Sequence, residues 1–434
     1  MPHSDLPKPH RVLYVVSRFP SLTTTFTTNE MAGIAAEGVD VFVAPIWKPL
    51  PDTKPHDVEK PFLSKIVSEE LTSPQLWIGV LRGLLRRPQV LWVILTLVPD
   101  HLQSIYLFLK LLVALPKGIY LGWWCSQNGV DHIHAHFLTS PTTVALLASA
   151  TSQIPYSYTA HAFDITSRDP KTVNGSVVEK CLRAALGVTI SNYNRRYMLQ
   201  RWPKIEKASL EVVYNGLDTS LFEPVKRAPS QESAADKQQA WRVLSVGRLT
   251  AKKGHDYLIK AVASLRSKGL DFRLDIFGDG ELQAPLQALI DSLGDDCRQH
   301  IQLRGTLLQE NLVNEYEQAD MFALACVQVA DGDIDGLPTV LIEALAMEVP
   351  TVSTDLSGIP EIVQDHVTGL CVPSGEVEPL ADALLWMAQH PDEGKAMSRQ
   401  GRQLVLERFD RRKNAAQLLA LWRNLPDPST QMAK

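Results

Sequence analysis

Two sets of short strand-like runs, five on either side of a polar stretch, most constrain what this chain can fold into. The first set is Arg11–Ser17, Asp40–Ala44, Asp131–Ala135, Tyr156–Ala160 and Gly187–Ile190; the second is Arg242–Val246, Phe272–Phe277, His300–Leu303, Met321–Ala325 and Pro350–Ser353. The clearest of them, Val12–Val16, shows no polar alternation, so both of its faces must be covered, as in a parallel strand between helices. The intervening segments suit helices: Met31 and Ile34 keep helical spacing until Gly38 stops the run before the next strand. Strand, helix and strand in this order give a doubly wound α/β domain in each half.

The polar stretch Ala228–Gln239, APSQESAADKQQ, has the composition of a linker. At 434 residues the chain exceeds what one core supports, so two domains are expected, 1–227 and 240–405. A last segment, 406–434, contains Ala415, Leu418, Leu419 and Trp422 on one helical face and is expected to return to the first domain.

A formal net charge of −5 gives no electrostatic ground for a nucleic-acid partner. Five scattered cysteines suit reduced thiols in a cytosol, and neither a disulfide nor a zinc site is expected. The apolar run after the polar Met1–His10 is too short for a secretory signal. Leu76–Trp124 departs from the α/β plan, with VLWVILTLV and IYLFLKLLVAL separated by Pro99, Asp100 and His101. Neither run reaches the ~18 residues of a spanning helix. Two readings stay open: helices buried in the first domain, or an interfacial surface whose Arg82, Arg86, Arg87 and Lys110 meet anionic lipid.

In a doubly wound domain the ligand sits beyond the carboxyl ends of the strands, so the residues just after them are informative. Val243–Val246 runs into Gly247, Arg248 and Leu249, then Lys252, Lys253 and Gly254 before a helical segment. Glycine allows close approach of an anion, arginine binds it bidentately and a helix start adds its dipole, which assigns Arg248 and Lys253 to phosphates. In DGLPTVLIE, Asp335 precedes Glu343 by eight positions, with Pro338 placed to start a helix. Glu343 is the candidate for ribose hydroxyls and Asp335 for the sugar. His132, His134 and His136 alternate along one strand face, but no fourth ligand is evident and no metal site is expected. Asp331, Asp333 and Asp335 have Asp-x-Asp spacing, which alone does not make a cation site.

VGRL, KKG, DGLPTVLIEALA and PTVSTDLSGIPEIV, in this order, resemble the donor half of the retaining family-4 glycosyltransferases, especially the bacterial exopolysaccharide and colanic-acid type. SRFPSLTTTFTTNE resembles that type's opening motif, and YNGLD its segment before the linker. The resemblance implies a GT-B fold, two Rossmann-like domains facing a cleft. It implies transfer, with retention, from a UDP- or GDP-linked sugar to a saccharide or lipid-linked saccharide, without cofactor or metal, in the cytoplasm or at the inner face of the cell membrane. TAHAFDI resembles the family's HG-x-D motif, so His161 joins Arg248, Lys253 and Asp335 as catalytic candidates. Donor binding is expected at Gly247, Arg248, Lys253, Asp335, Gly336, Leu337, Pro338, Thr339 and Glu343, and acceptor contacts at Thr24, Thr25 and Asp164.

Three departures stand out: Asp335 replaces the family's first Glu, Thr24 and Thr25 replace a Ser-Glu pair, and Ala162 replaces a Gly. They keep a non-catalytic nucleotide-sugar-binding protein open as a rival, beside an epimerase on the same fold. A phosphorylase would need a pyridoxal-phosphate lysine motif, which is not found.

Overall fold

The computed structural model describes residues 9–21, 25–51, 53–169, 175–224, 240–307 and 309–425. The linker stretch Ala228–Gln239 and Thr24 lie outside them. The chain divides into two units, Met1–Gly216 with Arg411–Lys434, and Leu217–Asp410.

The first unit holds a six-stranded parallel sheet of β1 (Arg11–Arg18), β2 (Asp40–Trp47), β3 (His132–His136), β4 (Tyr156–Ala160), β5 (Leu186–Thr189) and β6 (Leu210–Val212), in the order β2-β1-β3-β4-β5-β6. The register sets Val12 beside His132 and Tyr14 beside His134. Tyr14, Ile133, His134 and Tyr158 have no exposed surface, as a sheet covered on both sides requires.

On one side lies helix α1 (Thr25–Ala36), and against it the C-terminal helix Arg411–Arg423. The two approach so closely that a Cβ on Gly33 would stand 2.7 Å from that of Ala415. Trp422, 5% exposed, donates from its indole nitrogen to Ser157 Oγ on β4 at 3.0 Å, tying the last helix to the sheet. Leu418 and Leu419 fill the same layer, each burial stabilising by about 1.5–3 kcal/mol.

The Leu76–Trp124 region forms three helices, α2 (Pro74–Arg86), α3 (Val90–His101) and α4 (Ile105–Gln127). Here the structure corrects the sequence expectation of two short runs. Pro99 lies within α3, and α4 passes through Pro116 for 23 residues, a length and composition able to cross a membrane, although half of its most apolar stretch is buried. Beyond Pro116, Gly118 and Gly122 hold α4 against helix α5 (Ser140–Ser152), so tertiary contact sustains the helix past the proline.

The second unit repeats the plan with β7 (Trp241–Val246), β8 (Phe272–Phe277), β9 (Ile301–Gly305), β10 (Met321–Leu324), β11 (Thr351–Thr354) and β12 (Leu370–Val372), in the order β12-β11-β10-β7-β8-β9. Its core packs Leu258, Ile259, Val262 and Leu265 of the helix His255–Ser267 onto Leu274, Ile276 and Ala323. β6 and β12, three residues each at the sheet edges, escape the sequence reading because so short a run has no periodicity to detect.

Candidate functional site

In both sheets the first strand has neighbours on either side, so strand order reverses beside it, and ligands of such folds gather beyond the carboxyl ends at that point. In the second unit this is the gap between β7 and β10. Gly254 turns the chain there in the left-handed region, φ +62°, and a Cβ at this position would stand 1.8 Å from the Ala325 carbonyl oxygen. Only glycine lets the loop after β7 press onto the end of β10. Val327 N–H donates to the Lys252 carbonyl at 2.9 Å and completes the junction.

Here the lysines meet the aspartates. Lys253 Nζ lies 2.7 Å from Asp335 Oδ2, and Lys252 Nζ 2.9 Å from Asp333 Oδ2 and 3.8 Å from Asp335 Oδ1. Burial opposes charge on Lys253 and Asp335 alike, but their mutual attraction outweighs it, raising the lysine and lowering the carboxyl. The pair is therefore ionised. The Cys326 thiol, pushed far up by burial first and by Asp335 second, stays protonated and donates to Asp335 Oδ2 at 3.5 Å. His255, at the start of the next helix, is pushed down to about 4 by burial first and Lys253 second.

Arg248 is exposed on the same loop, next to Gly247, whose N–H belongs to the Phe277 carbonyl at 2.9 Å. Gly336 accepts at its carbonyl from Gly358 N–H and Ser357 Oγ, at 3.1 and 3.2 Å. Leu337 is buried, Pro338 is the N-cap and Thr339 the first residue of the helix Thr339–Ala346. Glu343, within that helix and 3% exposed, accepts at Oε2 from Tyr316 OH at 2.9 Å. That leaves it more enclosed than an acid waiting at a helix start.

In the first unit the corresponding gap lies between β1 and β3, and its chemistry is different. Glu30 of α1 takes the Tyr14 hydroxyl at 3.0 Å and His136 Nε2 at 3.1 Å on the same oxygen, while His136 Nδ1 lies 3.1 Å from His161 Nε2. Burial would raise Glu30, but His136 and His134 more than offset it and hold the carboxyl well below its ordinary range. Burial likewise drives His161 far down, so its ring is neutral and carries one proton. Its Nε2 is engaged with His136 Nδ1, while Nδ1 is buried and has no hydrogen-bond partner among the described residues.

Phe137 and Phe26 flank the His161 ring with centroids 4.5 and 4.7 Å away. Phe137 takes φ +73° to do so, a conformation a bulky residue adopts only when its surroundings impose it. Asn194 donates to the His161 carbonyl. Asp164, an expected acceptor contact, engages both oxygens with backbone N–H groups, of Leu138 at 2.8 Å and of His161 at 3.0 Å. It shapes the turn that presents His161. Thr25 opens α1, half-buried.

His134 Nδ1 and His132 Nε2 each lie 2.6 Å from Ser157 Oγ, which also accepts from Trp422. Glu30, His134 and His136 offer ligand atoms within 4.8 Å of one another. Those atoms already serve hydrogen bonds, His134 Nε2 to Thr159 at 3.0 Å and His136 Nε2 to Glu30. The strand's alternation thus marks a polar layer in the core. Sequence reasoning gave Glu30 and His136 no role; the signal was present in the opening motif that ends on Glu30, but nothing local links it to a strand a hundred residues on.

Two parallel doubly wound units, one with a lysine–carboxylate switch point, define a GT-B protein. The Glycosyltransferase Family 4 model matches residues 23–221 and the Glycosyl transferases group 1 model residues 227–404. The chain belongs to the family-4 glycosyltransferases. It is 40% identical to the amylovoran biosynthesis glycosyltransferase AmsK of Erwinia amylovora over 35% of this chain and 37% of that one. It is 32% identical to a GDP-mannose-dependent alpha-(1-6)-phosphatidylinositol monomannoside mannosyltransferase of Mycobacterium tuberculosis over 46% and 51% of the two chains. These alignments span about a third to a half of the relatives' length. The fold matches the crystal structure of Anabaena HepE in complex with UDP-glucose, TM-score 0.64 and 19% identity over 94% of this chain and 99% of that one.

Proposed function

We propose that this chain transfers a glycosyl group from a nucleoside diphosphate sugar to a hydroxyl of a saccharide or lipid-linked saccharide, with retention of configuration and without a metal, in exopolysaccharide or envelope glycan synthesis. The observation that carries the reading is the ionised Lys253–Asp335 pair at the β7–β10 switch point, beside the exposed Arg248. The names of the relatives, one tied to amylovoran and one to GDP-mannose and a phosphatidylinositol acceptor, agree with it.

In the reaction the bond from the anomeric carbon to the β-phosphate oxygen breaks and negative charge grows on the diphosphate. Lys253 and Arg248 stabilise that charge, a role in which one well-placed donor is worth ~10²–10³ in rate. Asp335 keeps Lys253 oriented and charged until the donor arrives. The departing diphosphate takes the acceptor proton on the face it leaves, so no protein nucleophile is needed. Glu343, held by the Tyr316 hydroxyl, is the candidate for the ribose, and His161 Nδ1 pairs with a sugar hydroxyl.

The test is a screen of UDP- and GDP-sugars for thermal stabilisation, since a ligand of the native state raises its melting temperature by mass action. A shift with one donor, with sugar transfer to an acceptor, is expected; Arg248→Ala and Lys253→Ala should abolish transfer. Near-normal turnover in both variants would sink the assignment.

A further inference from the structure

We propose that the outward face of α2, α3 and α4 is the surface by which this chain lies on an anionic lipid bilayer. Most large apolar side chains that the described residues leave exposed are gathered in this one region. Leu85 is 75% exposed, Trp92 72%, Leu102 and Ile105 64%, Leu81 59% and Leu95 58%. Single exposed leucines are ordinary, but a continuous face on three neighbouring helices marks an interaction surface.

The face cannot be buried by repacking its own helices, because their other sides are locked. A Cβ on Gly79 of α2 would stand 2.6 Å from the Tyr120 ring, and one on Gly83 2.9 Å from Ile119. On α4, a Cβ at Gly118 would stand 2.5 Å from that of Leu147 on α5, and one at Gly122 2.5 Å from the Ala148 carbonyl oxygen. Glycines four residues apart on each helix thus seat α2 on α4 and α4 on α5, and fix which side faces out.

Charge identifies the occupant. The whole chain has more acidic than basic residues, 48 against 43, yet between Glu70 and Asp131 the one acid is Asp100. The cations on the outward side are Arg82 and Arg86, exposed, and Arg87, half-buried, whereas Lys110 is half-buried and Lys117 turns inward to the Ile46 carbonyl at 2.6 Å. A second copy docked by the same face would bring these cations against one another, whereas anionic headgroups complement them while the apolar side chains enter the acyl boundary. Tryptophan and arginine together suit that boundary; Arg82 lies 5.5 Å over the Trp123 ring. The helices lie in the interface and do not span it: α2 and α3 have 13 and 12 residues where about 20 are needed, and α4 has its other side packed in the unit.

The experiment is flotation of the full chain with vesicles of phosphatidylcholine alone or mixed with phosphatidylglycerol. Wild type should float with the mixed vesicles, less so as salt rises. The triple variant Leu85→Ser, Trp92→Ser, Leu95→Ser should not float, and Arg82→Gln, Arg86→Gln, Arg87→Gln should lose about 100-fold of the preference for anionic vesicles. The changed positions are exposed apart from the half-buried Arg87, and a donor-induced thermal shift kept in both variants separates this result from any failure of the donor assignment. Absence of flotation with either vesicle overturns the proposal. So does a dimer in vesicle-free sedimentation that the Leu85, Trp92, Leu95 variant converts to monomer, since the face then belongs to a second copy.

Discussion

The two sheets share strand number, parallel sense and a strand-order reversal beside the first strand, yet the side chains at the two reversals have opposite characters. Beside β7 they are ammonium and carboxylate groups held in pairs, with an exposed arginine on the rim. Beside β1 they are imidazoles, a tyrosine and one carboxylate, enclosed by phenylalanines. The lesson is that the doubly wound fold fixes where a ligand can sit and leaves its chemistry to the loops. A site of paired charges can exchange an internal partner for an incoming diphosphate. A buried network of imidazoles around one carboxylate offers directed hydrogen bonds, which suits uncharged hydroxyls.

The largest effect that would break this contrast is at Lys253. Lys253→Ala should cost ~10²–10³ in turnover and also leave Asp335 buried without its main partner, at about 3–5 kcal/mol of stability. The double change Lys253→Ala, Asp335→Asn should recover much of the melting temperature, measured by calorimetry, while turnover stays low. Full activity in the double variant would show that the pair is structural only.

Next in size is Glu30→Gln, which removes the charge organising His136 and through it His161. A fall in kcat of about tenfold is expected, corresponding to ~1.4 kcal/mol, with the donor-induced thermal shift unchanged. A lost thermal shift with normal kcat would place the network on the donor side and erase the contrast.

Arg248→Ala sharpens the comparison from the exposed side. Its own stability should move by less than ~0.5 kcal/mol because the side chain is at the surface, while donor affinity measured by calorimetric titration falls about tenfold. The smallest effect is in pH. His255 has its folded pKa lowered to about 4 from an ordinary 6.5, so the unfolded chain binds the proton more readily. The stability this group contributes is present above pH 6.5 and is lost as pH falls toward 4. The melting temperature should drop over that window, and His255→Gln should flatten the profile there.

Much of this was legible in the residues. Short apolar runs gave the strands, Gly254 and Pro338 marked turns whose geometry they require, and the loop after Val246 showed its cations, although the pairing of the lysines with Asp333 and Asp335 was not read from the sequence. The roles of Asp164 and Glu343 were less legible, because a carboxylate's partners depend on what surrounds it: Asp164 binds the backbone of its own turn, and Glu343 accepts from the Tyr316 hydroxyl.

By itself, then, the sequence determined the α/β plan, the two-part organisation and the cations of the loop after β7, since these follow from local periodicity, from residue type and from glycine and proline stereochemistry. Only the tertiary structure decided that Glu30, His136 and His161 form one chain of hydrogen bonds, that Trp422 ties the C-terminal helix to Ser157 of β4, and that α2, α3 and α4 turn an apolar face outward. Each of these depends on contacts between segments remote in sequence, whose burial and facing side no single segment encodes.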